Sequence, residues 1–282
     1  MPQTNEAYLK RMFDFVFEAG KIARELSRDS QPSLKRDNSV VTKADKAIAE
    51  LAREQLSDLL ITSQHLLIEE EDADVARYLN QAFLKKTPYI WSVDPIDGTR
   101  NYANGMPNFG ISIGLIKDLK PWMGVVYFPA LNELMYCDGE HSHFVENAFT
   151  SNEKKAPIKF KEQPITSQSV FLCLDQFFKS FKWDYKDCRV MMQSCAAIDI
   201  CWSAAGRTCG AIIRCALWDF AGAWPIALKA GLNFRSFESA ETLVALDVSR
   251  FMNDKASWKL RDFYLVCSDK NYPLLKAKIT KI

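Results

Sequence analysis

The chain has 282 residues, 48% of them hydrophobic and 25% charged, enough for one large domain or two modest ones with a sizeable core. Its 36 Lys+Arg against 35 Asp+Glu leave a formal net charge of +1, a balance that gives no reason to expect nucleic acid as the main partner. The first fifteen residues hold no apolar signal core and charges interrupt every later apolar run, so no membrane partner and a cytoplasmic location are expected.

Residues 5–27 place Tyr8, Met12, Phe15, Val16, Ala19, Ile22, Ala23 and Leu26 at spacings of three and four. That periodicity predicts a long amphipathic helix, with Thr4 or Asn5 capping its start. A polar loop with Pro32, Lys35, Arg36 and Asp37 follows. A second helix is expected over 43–60, with Ala47, Ile48, Leu51, Ala52, Leu56 and Leu59 on one face. Asp45 falls in its first turn, where the helix dipole favours a carboxylate. His65-Leu66-Leu67-Ile68 reads as a short buried strand that stops at Glu69, Glu70, Glu71 and Asp72, and such an acidic block is usually a solvated loop. A third helix over 74–84 leads to Tyr89-Ile90-Trp91-Ser92-Val93, a β-prone run that ends on Asp94 and Asp97.

From 109 the pattern is that of an antiparallel meander, with strands at 109–117, 123–128, 133–137 and 143–146. Residues 147–168 are polar and Lys-rich and mark a seam between two halves, 1–150 and 151–282. In the second half strands are expected at 170–174, 189–192, 211–215, 233–237, 243–248 and 263–267. Helices are expected at 176–181, 196–205, 219–230 and 272–278, with Gly206 and Gly231 as left-handed caps. Strands and helices mixed in both halves suggest an α/β fold of sheets layered between helix pairs. Eight cysteines include no C-x-x-C pair and mostly sit in apolar runs, so reduced, buried thiols are expected.

Four places put carboxylates at the edge of an element: Asp45, Glu70, Asp94 with Asp97, and Asp219. Each has a plain reading alone. Asp-Pro and Asp-Gly are turn formers, and Asp45 or Asp219 could simply cap a helix. Together they form an all-oxygen ligand set that suits Mg²⁺. Only three histidines exist, His65, His141 and His143, too few for an ordinary zinc hydrolase; the His141-x-His143 pair reads as surface or core filler. After Asp97, the N–H groups of Gly98 and Thr99 precede a short helical turn, and free N–H groups there suit phosphate oxygens. No dinucleotide fingerprint, Walker loop or Gly-x-Ser-x-Gly occurs. Metal with a phosphate cradle points to phosphoester hydrolysis rather than redox chemistry.

Asp94-Pro95-Ile96-Asp97-Gly98-Thr99-x-Asn101-Tyr102 resembles the first signature of the inositol monophosphatase family, and Trp218-Asp219-Phe220-Ala221-Gly222-Ala223 resembles its second. Val41-Thr42-x-x-Asp45 and Ile68-x-Glu70-Glu71 precede them in the family's order, and the likeness runs over roughly 35–231. The resemblance implies a layered αβαβα sandwich of the inositol monophosphatase and fructose-1,6-bisphosphatase type, a homodimer, and a Mg²⁺-dependent, lithium-sensitive phosphomonoesterase with two or three ions per active site. The first half would carry the metal-binding acids and the second half the substrate-facing loop, as one catalytic unit. By position, Glu70, Asp94 and the carbonyl of Ile96 would hold one metal, and Asp94, Asp97 and Asp219 another. Asp45 and Lys35 match positions near the cluster. Gly98 and Thr99 would hold phosphate, Thr99 with Glu70 would orient the attacking water, and Ser194-Cys195-Ala196 would face the rest of the substrate.

Three departures bear on the substrate. Glu69 stands where the family usually has Gly. Ile212, seven residues before Asp219, stands where inositol-specific members tend to carry Glu, and isoleucine cannot accept a sugar hydroxyl. Arg214 reads either as a reader of a second anionic group or as a surface residue. Inositol phosphate or a similar small polyol phosphate is the expected substrate. Histidinol phosphate, a sugar bisphosphate and a 3′-phosphonucleotide keep the same chemistry, and a metal-binding regulatory protein acting through a partner is the contrasting alternative.

Overall fold

The computed structural model describes residues 4–27, 32–34, 40–159, 162, 164–252 and 258–282. The first helix runs Asn5–Leu26 and starts at Thr4, whose Oγ1 accepts a hydrogen bond from the Ala7 N–H at 3.2 Å. The second, Lys43–Leu60, opens with a capping box between Thr42 and Asp45. These helices bury their predicted apolar faces, Phe15, Val16, Ala19, Ile48, Ala52 and Leu56 among them, on one face of a seven-stranded sheet.

That sheet keeps chain order: His65–Glu69, Tyr89–Asp97, Gly110–Lys117, Lys120–Phe128, Glu133–Cys137, Ser142–Glu146 and Lys154–Pro157. The first pair is parallel and the rest are antiparallel. Its last strand was not expected. Lys154–Pro157 is exposed throughout and pairs with Ser142–Glu146, so the sheet reaches past residue 150 into the predicted seam. Lysines and a proline on an outermost strand discourage further pairing, which is why its sequence does not look β-prone.

The opposite face meets three helices, Ala196–Ala204, Leu217–Ala221 and Ala223–Ala230, which sandwich a second core against a five-stranded sheet. Its order is Arg189–Met191, Val170–Cys173, Gly210–Ile213, Tyr264–Cys267, Asn233–Ser236; the first three strands are parallel and the last two join antiparallel. Beyond it, the helix Asn271–Ala277 and the strand pair Phe181–Trp183 with Ile279–Lys281 close a third core. The layers are therefore α, β, α, β, α, as the signatures implied.

Several elements differ from the sequence reading. Residues 74–84 form a short 3-10 turn, Val75–Tyr78, and one helical turn, Gln81–Leu84. The helix expected over 219–230 starts earlier, at Leu217, and is broken at Gly222. The strand expected at 243–248 is absent. Leu243 and Leu246 are buried, but only an isolated bridge between Arg235 and Thr242 pairs there. All eight cysteines are free, six of them buried. Among the described residues no helix is long and apolar enough to cross a membrane.

Candidate active site

The Tyr89–Asp97 strand pairs with Gly110–Lys117 through a register shift between Asp94 and Asp97. In a regular strand, residues three apart point to opposite faces. The irregularity, with Pro95 inside it, brings both carboxylates to one electrostatic cluster with Glu70. Glu70 comes from the turn after the neighbouring parallel strand, His65–Glu69. Asp219 comes from the other side of the cleft, on the Leu217–Ala221 turn of helix, where its Oδ2 accepts the Ala216 N–H at 2.8 Å.

These acids crowd one another, and among the causes of their shifts the one cationic side chain is Lys259, beside Asp219. Burial pushes the Asp94 carboxyl well above its ordinary range, and the charges of Glu70, Asp97 and Asp219 push it further. Asp94 Oδ1 is buried and has no hydrogen-bond partner. Burial raises Asp97 to about 6, although its Oδ2 accepts the Ala197 N–H at 2.5 Å and the Cys195 thiol at 3.1 Å. Burial and the Asp97 charge raise Asp219 to about 7. Beside them, carboxylate oxygens of Asp45, Glu70 and Glu71 all lie within 4.8 Å of one another. An orphaned oxygen among mutually repelling carboxylates, with no imidazole or thiolate as donor, fits a hard divalent cation.

Asp45 joins this group through its cap. Its Oδ2 accepts from the Thr42 N–H at 2.8 Å and from the Thr42 hydroxyl at 2.5 Å, leaving Oδ1 turned toward the Thr99 hydroxyl at 3.2 Å. The same hydroxyl lies 2.9 Å from the Ile96 carbonyl. Thr99 thus rests between Asp45 and Ile96. The capping oxygen and the oxygen facing Thr99 are different atoms, so the cap does not keep Asp45 out of the acidic group. Lys35 lies outside the described residues.

Gly98 has φ +85°, and a Cβ there would sit 2.9 Å from the Asn108 carbonyl and 3.2 Å from the Cys195 Cβ. Only glycine allows this turn and this approach together. Asn101 ties the two halves at the same place: its Nδ2 donates to the carbonyls of Asn108, at 2.6 Å, and Gln193, at 2.7 Å. The adjoining Ser194 adopts φ +56° and donates its hydroxyl to Asp175 at 2.5 Å, while Cys195 and Ala196 lead into the helix whose first turn binds Asp97. The structure therefore brings Asp94, Asp97, Asp219, Glu70, Asp45 and Thr99 together with Gly98 and the Ser194–Ala196 loop.

A cleft of about 1230 Å³ is lined by Glu70, Asp97, Asp219 and the Ser194–Ala196 loop. Here the sequence reading needs correction. Ile212 does not face it: the side chain is fully buried in the third core, beneath the second sheet. Strand alternation puts Ile213 on the cleft wall instead. Counting back from Asp219 crosses the turn after this strand and misses the register by one. Arg214 also lines the cleft and is not a free surface residue. Glu69, the other departure, turns away from the acids: it is buried and pairs with Arg53 at 2.5 Å. His143 bonds Asp138 and stacks on Tyr136, well apart from the cleft lining.

Sequence reasoning passed over three charged residues of the lining: Asp175, Asp199 and Lys259. Asp199 is buried with Oδ1 unpartnered, and burial followed by the charges of Asp97 and Asp175 raises its carboxyl well above the usual range. Its place in the first turn of a helix that follows the Ser194 loop was a usable signal. Lys259 carried none, since it lies far along the chain in a polar stretch.

The sequence matches the inositol monophosphatase family over residues 5–269. It is 29% identical over 218 residues to the Nus factor SuhB of Pasteurella multocida, covering 72% of this chain and 74% of that protein. It is 30% identical over 142 residues to the histidinol-phosphatase of Chlorobaculum parvum, covering 50% of this chain and 51% of the relative. The fold superimposes on the inositol monophosphatase of Thermotoga maritima with a TM-score of 0.71 at 19% identity, covering 96% of each chain. Family and relatives indicate phosphatase activity, and the carboxylate cluster lies on the two signatures: the chain belongs to the inositol monophosphatase family.

Proposed function

We propose that the protein is a Mg²⁺-dependent phosphomonoesterase acting on inositol monophosphate or a similar small polyol phosphate. The observation that carries this reading is the buried, unpartnered Asp94 oxygen surrounded by Glu70, Asp97 and Asp219. Two or three ions would be held there. Glu70, Asp94 and the Ile96 carbonyl serve one, and Asp94, Asp97 and Asp219 another, with Asp45 beside the first. When bound, Mg²⁺ supplies an acidified water and charge compensation at the phosphoryl oxygens.

The chain's own groups do the rest. The backbone N–H groups of Gly98 and Thr99 hold the phosphate. The Thr99 hydroxyl, steadied by Asp45 and Ile96, orients the attacking water, and Glu70 draws its proton away. Ser194, Cys195 and Ala196 face the non-phosphate part. No covalent enzyme intermediate is needed. Residues 1–150 and 151–282 act as one catalytic unit, since the cleft draws on both. A homodimer belongs to the same reading.

The test is phosphate release from inositol 1-phosphate, histidinol phosphate, a sugar bisphosphate and a 3′-phosphonucleotide, each with Mg²⁺ and with a chelator. Release in Mg²⁺, none with the chelator, and inhibition by millimolar Li⁺ are expected. Absence of release from every ester overturns the proposal. Release from other esters but not inositol 1-phosphate moves the substrate and leaves the chemistry standing.

A further inference from the structure

Among the described residues lining the cleft, two are basic, Arg214 and Lys259. Arg214 follows the Gly210–Ile213 strand and is half-buried. Its Nε donates to the Leu260 carbonyl at 3.3 Å, and its guanidinium carbon stands 5.0 Å from the centre of the Phe263 ring. Among the described residues Nη2 meets only the Met252 sulfur, at 4.0 Å. No carboxylate among the described residues pairs with it. A guanidinium clamped at one edge and over a ring, with its other donors unused, is a preorganised fork for a planar or tetrahedral anion.

Lys259 stands on the same side. Its backbone bridges to Ala216, and its charge reaches Asp219 and the Cys215 thiol, lowering both against the effect of burial. The same lining holds Ile213, which offers no acceptor for a hydroxyl. The cleft itself, about 1230 Å³, exceeds the roughly 300–1,000 Å³ typical of small-ligand sites. A monophosphate of a small polyol leaves the basic end of this cleft empty and its guanidinium uncompensated.

We infer that Arg214, assisted by Lys259, forms a second anion subsite, and that the preferred substrate is a phosphate ester carrying a second anionic group. The ester phosphate lies at the carboxylate cluster, and the second phosphate or carboxylate takes the open edge of Arg214. This rests on the phosphatase chemistry proposed above and moves its preferred substrate from a simple polyol monophosphate to a doubly anionic ester.

The experiment compares esters that differ only in the second anion: fructose 1,6-bisphosphate against fructose 1-phosphate, 3′-phosphoadenosine 5′-phosphate against 3′-AMP, and 2-phosphoglycerate against glycerol 2-phosphate. The wild type should favour the doubly anionic member of at least one pair by about tenfold or more in kcat/KM, chiefly through KM. Arg214→Gln should bring that ratio near one, and Arg214→Lys should keep part of it. The pair that shows the preference tells phosphate from carboxylate. Calorimetric binding of the same pairs with Ca²⁺ replacing Mg²⁺ reads the subsite independently of turnover. If no ester is hydrolysed yet the doubly anionic ligand binds tighter through Arg214, the subsite stands and the phosphatase reading falls. Equal binding and turnover of both members by the wild type, or a ratio unchanged in Arg214→Gln, overturns the subsite.

Discussion

The two sheets meet the cleft in different ways. The seven-stranded sheet presents Asp94 and Asp97 from within a hydrogen-bonded ladder, on backbone that is buried and fixed by its neighbours. The five-stranded sheet presents the ends of its parallel strands and the loops that leave them: Ile213 is the last paired residue of its strand, and Ser194 and Arg214 stand clear of the ladder. Carboxylates forced together against their own repulsion need a rigid frame, and the ladder gives one. Groups that sort substrates can sit on loops, where a changed side chain does not disturb the frame. On the function proposed above, the difference separates whether the reaction occurs from which ester undergoes it.

Asp94→Asn tests the first side most severely. On the proposed mechanism it should lower Mg²⁺-dependent phosphate release by on the order of a thousandfold for every ester alike. Melting of the metal-free variant should be no lower than wild type, because a crowded carboxylate is removed. A loss confined to one ester would place Asp94 on the substrate-sorting side and break the comparison.

Protonation offers a second test. Asp97 and Asp219 are raised to about 6 and about 7, so between pH 4 and 7 the metal-free fold binds protons that the unfolded chain has released. Its stability therefore falls as pH rises through that window and levels off above it. A cation needs the deprotonated groups. Millimolar Mg²⁺ should raise the melting temperature by about 3 °C at pH 8 and hardly at all at pH 5. The same shift at both pH values would mean that the cation binds elsewhere.

Ser194→Ala acts on the second side and should be milder. It removes the 2.5 Å bond to Asp175 and lets the loop relax. A change of roughly three- to tenfold in KM is expected, differing between esters, with kcat little altered. A uniform fall in kcat would show that the loop serves the chemistry itself.

The same division explains what could be read from the sequence. Both long helices and the strand into Asp94 were visible, because periodicity and turn chemistry are local and each element's burial agrees with them. So were the acids, since ligand chemistry restricts residue type. The edge strand Lys154–Pro157 was hidden because its side chains serve solvent rather than a core. The strand expected near Leu243 and Leu246 failed for the converse reason: both are buried by tertiary packing, yet the Leu246 N–H bonds Leu119 rather than a ladder. The substrate wall was misjudged at Ile212 because facing is set by sheet register, which spacing to a motif across a turn does not carry. Lys259 reaches the cleft only by tertiary folding.

The helices bearing Asp219 lie on the first sheet at unusually close range. A Cβ on Gly114 would come 2.5 Å from the Ala221 carbonyl, and one on Gly124 would overlap the carbonyl of Gly222. No side chain separates main chain from main chain here. The approach of the helix that carries Asp219 to the sheet that carries Asp94 is therefore gauged by bare backbone, with a methyl group as the thinnest available shim. On the metal site proposed above, Gly114→Ala would widen the jaws without touching any charge, and a binding titration should show preference moving from Mg²⁺ toward the larger Ca²⁺.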